Sequence, residues 1–426
     1  MIRQYIRQAF QLLKENKLLA AVSLLGTALS IAMVMVVVLV FQVQLTSFYP
    51  EYHRDRMLYQ INGAIADHAN GSRSQGQFSL EAIKEVFYPL ESAEAVTAFT
   101  NLWRNISLPG RRTNSPNRIR CVDTAFWQVF GFRFVAGKAF TEADFQSGVR
   151  QIVLASTLAR RLFGTDSEAV GKEVHLDGEG YTVCGVVTDV SKVADIAYAE
   201  AWLPYTSQLG SVGESSHEQT IGRFNVCILA PSSGRFAAIR EELEKRQTAY
   251  NATKRDVKLD ALQCLYTRME IAMGSEGDKR VGWGRFLAEK GSVLLFLLVI
   301  PALNLLGVLQ SSVRKRRQEI GVRKAFGATT GSIVGQVLLE NLVSTFLGGV
   351  VGLLLSLFLV TACKEFLFAK AGVELSVEML LKPGVFLAAF LSCLLLNVLS
   401  AGLPAWSAAR KTISDSLHDS ESDTNK

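Results

Sequence analysis

Four long runs of apolar residues constrain the fold of this 426-residue chain more than any other feature. The first run, residues 18–41, contains no charged side chain. As an α-helix it would rise about 1.5 Å per residue and cross the roughly 30 Å hydrocarbon core of a bilayer. It is also longer than the apolar segment of a cleaved signal peptide, which has about 7–15 residues. We therefore predict an α-helical membrane protein with four transmembrane helices.

Basic residues in the short loops set the predicted orientation, because cytoplasmic loops carry an excess of Lys and Arg. These residues concentrate in the leader and after the second apolar run, so both termini and that loop are predicted to be cytoplasmic. The basic residues that orient the chain in the membrane then account for most of the formal net charge of +6, and we expect no nucleic-acid partner.

The predicted segments follow from these runs and this orientation. The leader places apolar side chains on one helical face beside basic ones, which is typical of a helix lying in the membrane interface; a plain cytoplasmic extension of the first span is the alternative. The full order is an amphipathic interfacial helix at residues 1–17, transmembrane helices at 18–42, 290–313, 331–363 and 384–406, an extracytoplasmic domain at 43–289, a cytoplasmic coupling loop at 314–330, a short extracytoplasmic connection at 364–383 and a cytoplasmic tail at 407–426.

The long segment at 43–289 has the pattern of a large mixed α/β extracytoplasmic domain, or of two smaller ones. Short runs typical of strands alternate with helical periodicity. Strands are predicted at residues 57–62, 118–122, 152–154, 181–188 and 223–229, helices at 80–87, 156–163 and 235–250, and loops at 70–77, 109–117 and 209–218.

The sequence predicts no catalytic, cofactor or metal site, and we expect a non-catalytic membrane subunit. Residues 164–173 come nearest to a phosphate-binding loop, but the glycine spacing is wrong and Glu173 stands where magnesium needs a hydroxyl. The five histidines and six cysteines match no zinc pattern. Cys184 is expected to be a buried strand residue. The isolated carboxylates Asp123, Asp144 and Asp189 are expected to cap turns or helices.

The loop after the second apolar run contains one glutamate among six cations. Glu319 can pair with Arg323 four residues later and order a short helix, and Gly321 and Gly327 can end or bend that helix. Basic residues that merely hold the loop on the cytoplasmic side are the alternative interpretation.

Small residues recur at every fourth position in the third apolar run, at Ser344, Gly348, Gly352 and Ser356. Such a stripe lets another helix approach closely. Packing within the chain and a dimer interface both remain open. Asn304, in the second apolar run, needs a hydrogen-bond partner within the helix bundle.

These residues resemble the core of the MacB/FtsX superfamily of ABC transporter permeases. The most specific part is the run RxEIGxRKAxGA at residues 317–328, accompanied by Asn304, Glu340 and the PAWSAAR sequence at 404–410. The extracytoplasmic segment is similar to the MacB-type periplasmic core domain at residues 126–140, 158–164, 170–172 and 181–189. Unlike the exporter MacB, this protein is expected to have no fused ATPase domain.

The resemblance implies a multi-pass permease subunit of the bacterial inner membrane, with its large domain on the periplasmic side. It implies a homodimer bound by a separate cytoplasmic ABC ATPase, which binds the ATP and Mg; this chain itself holds no cofactor. The expected partners are that ATPase, a second copy of the chain, the lipid bilayer and a periplasmic adaptor or outer-membrane component. The residues expected to couple to the ATPase are Arg317, Glu319, Gly321, Arg323, Lys324 and Gly327.

In this family, ATP hydrolysis moves the periplasmic domains by mechanotransmission, which leads us to expect export or extraction of a substrate. An FtsX-like membrane regulator of a cell-wall hydrolase or signalling partner, which moves no cargo, is the alternative. The residues expected in helix packing or in a dimer are Asn304, Ser344, Gly348, Gly352 and Ser356.

Overall fold

The structure is a computed structural model that divides into two compact units. It describes residues 17–67, 73–111, 115–255, 257–275, 279–289, 291–292, 326–327, 329–367, 384, 387 and 390–391. The first unit comprises residues 1–42, 287–371 and 375–426, and the second comprises 43–286 and 372–374.

The described part of the first unit is helical. Helix α1 (Lys17–Leu45) begins in this unit, and its last three residues belong to the second. Among the described residues, one helical segment, Leu24–Leu45, is long and apolar enough to cross a membrane, and Phe346–Ala362 is a shorter apolar helix. The number of four transmembrane helices therefore remains a prediction. The predicted segments 1–17, 290–313, 384–406 and 407–426 lie almost entirely outside the described residues.

Two sheets form the second unit. Ten strands belong to the larger sheet, in the order β14-β1-β12-β4-β5-β10-β7-β9-β6, with β8 pairing both β4 and β9. The smaller sheet has the order β11-β3-β2-β13. The strands are β1 Met57–Gln60, β2 Gly63–Asp67, β3 Arg73–Phe78, β4 Ala95–Ser107, β5 Pro116–Val122, β6 Phe134–Gly137, β7 Gln151–Ala155, β8 Glu173–Leu176, β9 Glu179–Val187, β10 Ala201–Pro204, β11 Ile221–Gly222, β12 Asn225–Leu229, β13 Val257–Asp260 and β14 Leu265–Thr267.

Besides α1, the described chain forms nine α-helices. The chain forms α2 as an α-helical turn at Leu80–Ala82 that continues as a π-helical turn at Ile83–Phe87. The others are α3 Ala125–Val129, α4 Glu142–Gln146, α5 Ser156–Phe163, α6 Leu209–Val212, α7 Phe236–Ala252, α8 Arg268–Ala272, α9 Thr330–Ala362 and α10 Lys364–Leu367. Helices α1, α9 and α10 begin in the first unit, and the others lie in the second.

The core of the second unit lies on the larger sheet. Every residue of the neighbouring strands β1 and β12, and of β10 three places from β12 in the sheet, is buried, so both faces of the sheet are covered there. Strand β8 alternates between exposed and buried residues, because one of its faces meets solvent. Trp202 on β10 is fully buried and its indole nitrogen donates to the carbonyl of Ala197.

The mixed α/β character of the domain is as predicted, but two predicted loops contain regular structure that was not predicted, and nine of the fourteen described strands were not predicted. Residues 70–77 were expected to form a loop, yet β3 begins at Arg73 and pairs with β2 and β11. Strand β3 was not predicted because its residues are mostly polar, and its conformation depends on pairing with other strands more than on intrinsic propensity. A Cβ atom at Gly76 would lie 3.0 Å from Ile221 Cγ2, so the glycine permits the close approach of β11. Helix α6 lies at the start of the loop predicted at 209–218, and the other strands that were not predicted are β2, β4, β6, β8, β10, β11, β13 and β14.

Candidate functional site: the end of helix α1

The last turn of α1 ends in an arginine clamp. A helix leaves its last carbonyls without intrahelical donors, and a buried helix end needs other partners for them. Arg54 supplies these partners, because its Nη1 atom donates to the carbonyls of Val43 at 3.2 Å, Gln44 at 3.2 Å and Thr46 at 3.0 Å. All of these residues belong to the second unit.

The same guanidinium group forms a buried ion pair. Arg54 Nε lies 2.6 Å from Glu51 Oε2, and both side chains are fully buried. The other carboxylate oxygen of Glu51 accepts from the amide of Ala197 at 3.1 Å, and Arg54 Nη2 donates to the carbonyl of Val193 at 3.2 Å. The pair therefore ties the end of α1 to the segment that precedes β10.

Two further groups complete the clamp. Arg268, the first residue of α8, donates from Nε to the carbonyl of Gln44 at 2.7 Å. Helix α8 follows β14, an edge strand of the larger sheet. The ring of Phe48 lies under the Arg54 guanidinium, 4.0 Å from its centroid, where a cation–π contact is favourable. We refer to Phe48, Glu51, Arg54 and Arg268 as the helix-end clamp.

Electrostatics favour a cation at this position in spite of its burial. Burial lowers the pKa of Arg54, and the Coulomb attraction of Glu51 opposes that shift. An arginine remains charged in proteins, and the C-terminal end of a helix carries partial negative charge that stabilises it. Burial also raises the pKa of Tyr59, the neighbouring phenol on β1, well above its ordinary value, so this side chain stays neutral.

Most of the predicted coupling residues lie outside the described residues: Arg317, Glu319, Gly321, Arg323 and Lys324. Gly327 is described. It is exposed, has φ of +90°, and a Cβ atom there would meet nothing within 4 Å. Helix α9 begins three residues later. The role of this segment in docking an ATPase remains a prediction.

Two glycines of the predicted small-residue stripe contact α1 of the same chain. A Cβ atom at Gly348 would lie 3.0 Å from Thr27 Cγ2, and one at Gly352 would lie 2.6 Å from the carbonyl oxygen of Ala28. Ser356 is buried and its hydroxyl donates to the carbonyl of Leu353 at 2.7 Å. Packing within the chain therefore accounts for both glycines, and the dimer interpretation stays a prediction. Asn304 and the side chain of Ser344 lie outside the described residues.

The isolated carboxylates cap helices, as predicted. Asp123 accepts from the amide of Phe126 at 3.0 Å, Asp144 forms a capping box with Thr141, and Asp189 accepts from the amide of Thr157 at 2.9 Å.

The cysteines and other metal-binding residue types form no site in the described part of the chain. Cys121, Cys184 and Cys227 form no disulfide. Cys184 lies partly buried in β9, and burial raises its pKa to about 12, which suppresses the reactive thiolate at neutral pH. Among the described residues, no group of three or more His, Cys, Asp or Glu side chains could hold a metal ion.

Sequence reasoning missed the helix-end clamp. Residues 51–56 read EYHRDR, which looks like an exposed polar loop after an apolar run. The available signal was a charged pair at Glu51 and Arg54 directly after a span, at a spacing of three residues. Nothing local distinguishes such a pair from a solvated one, because its burial depends on Val193 and Ala197, more than 130 positions away.

Helical segment Leu24–Leu45 is long and apolar enough to cross a membrane, and its last three residues belong to the α/β unit. Comparison with known families identifies the class of protein. The family described as "MacB-like periplasmic core domain" matches residues 20–246, and "FtsX-like permease C-terminal" matches residues 291–413. The chain belongs to this MacB/FtsX family of ABC transporter permeases, inner-membrane proteins with a periplasmic domain.

Named relatives agree with this assignment. The chain is 25% identical to "Uncharacterized ABC transporter permease YknZ" of Bacillus subtilis over 54% of each protein. It is 26% identical to "Macrolide export ATP-binding/permease protein MacB" of Bordetella avium, over 76% of this chain and 46% of that protein. It is 23% identical to "Pyoverdine export ATP-binding/permease protein PvdT" of Pseudomonas syringae, over 95% of this chain and 58% of that one. The chain thus spans about half the length of these relatives.

Solved structures of two relatives' domains are similar to about half of this chain. The match to the extracellular domain of YknZ covers 47% of this chain and 99% of the YknZ domain, at 19% identity and a TM-score of 0.35. The periplasmic region of MacB from Actinobacillus actinomycetemcomitans matches 47% and 89%, at 16% identity and a TM-score of 0.34.

Proposed function

We propose that this chain is a permease subunit that couples ATP hydrolysis by a separate cytoplasmic ATPase to movement of its periplasmic domain. The movement serves export or extraction of a substrate. The ATPase binds the ATP and Mg, and it docks on the loop that contains Glu319 and Gly327. The working unit contains two copies of the chain, and a periplasmic adaptor or outer-membrane component receives the substrate.

The helix-end clamp is the observation that supports mechanical coupling. A flexible linker after a membrane span would absorb a displacement of the helix. Here Arg54 and Arg268 instead bind the last carbonyls of α1 through charge-assisted hydrogen bonds, which are stronger than neutral ones. Arg54 also binds Glu51 and Val193 within the α/β domain. Displacement of the last turn of α1 is therefore expected to move the residues that the clamp holds.

The relatives support the transport part of the proposal. MacB and PvdT carry the words export and ATP-binding/permease in their names. None of the relatives named above favours the alternative of a membrane regulator.

A distance measurement tests the proposal. Glu244 is exposed on α7, so a spin label on Glu244→Cys, in a chain without its native cysteines, reports the separation of two periplasmic domains in a dimer. The labelled chain is reconstituted in nanodiscs with the ATPase that copurifies with it. Pulsed EPR then compares the nucleotide-free complex with the complex trapped by ATP and vanadate.

We expect the distance distribution to shift when nucleotide is trapped, and to remain unchanged when Mg is omitted. An unchanged distribution during demonstrated ATP hydrolysis would refute mechanical coupling. The absence of any distance between labels, in a complex that hydrolyses ATP, would refute the presence of two copies.

A further inference from the structure

A cavity of about 330 Å³ opens in the second unit, away from the helix-end clamp. This volume lies at the lower end of the range in which proteins bind small molecules. Helices α2, α4 and α6 contribute to its walls, together with the residues that follow β5 and β10. The residues that bear on its chemistry are Lys84, Tyr88, Glu142, Phe145, Tyr205 and Leu209.

The floor of the cavity is a directed chain of hydrogen bonds. Asp123 is buried and accepts from Thr97 Oγ1 at 2.6 Å, from the amide of Ala98 at 2.8 Å and from the Tyr88 hydroxyl at 2.7 Å. The Tyr88 and Tyr205 hydroxyls lie 3.2 Å apart. A phenol has one proton, and Tyr88 gives its proton to Asp123, so Tyr205 must be the donor in the second bond. The remaining lone pairs on the floor are acceptors, which suit an ammonium group.

Two opposite charges line the same cavity without pairing with each other. Lys84, on the π-helical turn of α2, is exposed and forms no ion pair with any described residue. Glu142, on α4, accepts hydrogen bonds from Thr124 Oγ1 and from Gln146 Nε2, both of which are neutral. The Thr124 hydrogen bond lowers the pKa of Glu142, so its carboxylate is charged at neutral pH. The cavity lining therefore presents one cation, Lys84, and two carboxylates, Glu142 and the buried Asp123, and no described ion pair joins them.

An apolar wall lies beside these charges. The rings of Phe145 and Tyr205 pack edge to face with centroids 4.8 Å apart, and Leu209 is 45% exposed. This surface can bury a side chain of an apolar ligand. Because the ligand must also satisfy a cation and an anion, a purely apolar, purely anionic or purely cationic molecule would leave one group of the cavity without a partner.

We propose that this cavity binds a small amphipathic zwitterion, of the size of a single apolar amino acid. Its ammonium group faces Glu142 and the tyrosine floor, its carboxylate faces Lys84, and its side chain lies along Phe145 and Leu209. This assignment is independent of the proposed coupling function, because binding requires neither an ATPase nor movement.

Three matched probes test the proposal on the full chain in lipid nanodiscs, by saturation-transfer NMR titration. They are L-phenylalanine, its N-acetyl derivative, which has no ammonium group, and its amide, which has no carboxylate. We expect each derivative to bind roughly fivefold or more weakly than L-phenylalanine, since hydrogen bonds to charged groups contribute most to affinity.

Two charge-removing variants assign the ends of the ligand. Glu142→Gln is expected to weaken L-phenylalanine and the amide by roughly fivefold or more, with little effect on the N-acetyl derivative. Lys84→Met is expected to weaken L-phenylalanine and the N-acetyl derivative by a similar factor, with little effect on the amide. Both positions are exposed, so folding should be preserved.

Glu85→Gln and Lys258→Met are the matched controls, because both side chains are exposed and neither lines the cavity. Both controls should bind all three probes as the wild type does. Equal affinity for the three probes, failure of L-phenylalanine to bind, or unchanged binding in both cavity variants would overturn the proposal.

Discussion

Substitution of Arg54 by alanine should loosen the end of α1 more than any other single change in the clamp. The side chain makes four hydrogen bonds to carbonyls, at Val43, Gln44, Thr46 and Val193, and one ion pair. Its removal leaves the Glu51 carboxylate buried with only the Ala197 amide as a described donor. Loss of one partner from a buried ion pair costs about 3–5 kcal/mol.

Hydrogen exchange by mass spectrometry measures this loss locally. The amide of Ala197 donates to Glu51, so it reports the opening of the clamp itself. A local cost of about 3–5 kcal/mol corresponds to exchange that is faster by roughly two to nearly four orders of magnitude. We expect this acceleration at residues 43–56 and 193–197 in Arg54→Ala, in the full chain in nanodiscs.

Two comparisons separate the ion pair from general damage. The double variant Glu51→Gln with Arg54→Gln removes both charges, so it should accelerate exchange much less than Arg54→Ala. Peptides from α4, whose described hydrogen bonds involve no clamp residue, should exchange at the wild-type rate in both variants. Wild-type exchange at Ala197 in Arg54→Ala would refute the reasoning, because the clamp would then contribute nothing to holding the helix end.

Three other predictions concern the rest of the chain. Gly352→Leu should destabilise the full chain in detergent by about 1–3 kcal/mol, because its side chain would overlap α1, whereas Gly335→Leu, in open space, should leave thermal unfolding unchanged. Glu319→Ala should preserve the amount of protein in the membrane but abolish stimulation of the partner ATPase, and Gly327→Leu should do so more strongly because φ is +90° at that position. Normal stimulation would mean that this loop serves only to set the membrane topology. Burial raises the pKa of Asp123 to about 6 from 3.8, so the folded state binds this proton more tightly than the unfolded state does, and the free energy of unfolding should fall by about 3 kcal/mol as pH rises from 4 to above 6. Asp123→Asn should lack this pH-dependent component in thermal unfolding followed by tryptophan fluorescence, and identical pH slopes in the variant and the wild type would contradict the prediction.

The sequence predicted those features that depend on local pattern. Helix α5 was predicted at residues 156–163, where the structure has it, because amphipathic periodicity over two turns is decisive. The MacB/FtsX family was predicted from residues 317–328, even though the structure describes only part of that segment. Such motifs can be recognised in a sequence because their residue types occur at a defined spacing.

Features that depend on distant partners could not be predicted. Lys84 and Glu142 look like two surface charges in the sequence, and only the packing of α2 beside α4 places them in one cavity. Strand β3 has few apolar residues and became a strand through its pairing with β2 and β11. In each case the decisive interaction joins residues that are far apart in the chain, which propensity and periodicity do not report.

Helix α1 connects two sets of contacts, and their order along the helix leads to a last prediction. Near its middle, α1 is held at Thr27 and Ala28 by the close approach of Gly348 and Gly352. At its end, it is held by Arg54. Ala28 and Val43 are fifteen positions apart in the same helix.

Variants at independent sites usually have additive effects. If a movement must pass through two sets of contacts one after the other, however, breaking either set already stops it, and breaking the second set causes no further loss of movement. We therefore expect Gly352→Ala and Arg54→Ala each to reduce the nucleotide-dependent shift in periplasmic distance, and the double variant to reduce it no further than the more damaged single variant. Folding stability, measured on the same proteins, should decrease additively, as is usual for variants at independent sites. Additive losses in both measurements would show that α1 does not carry the movement from one set of contacts to the other.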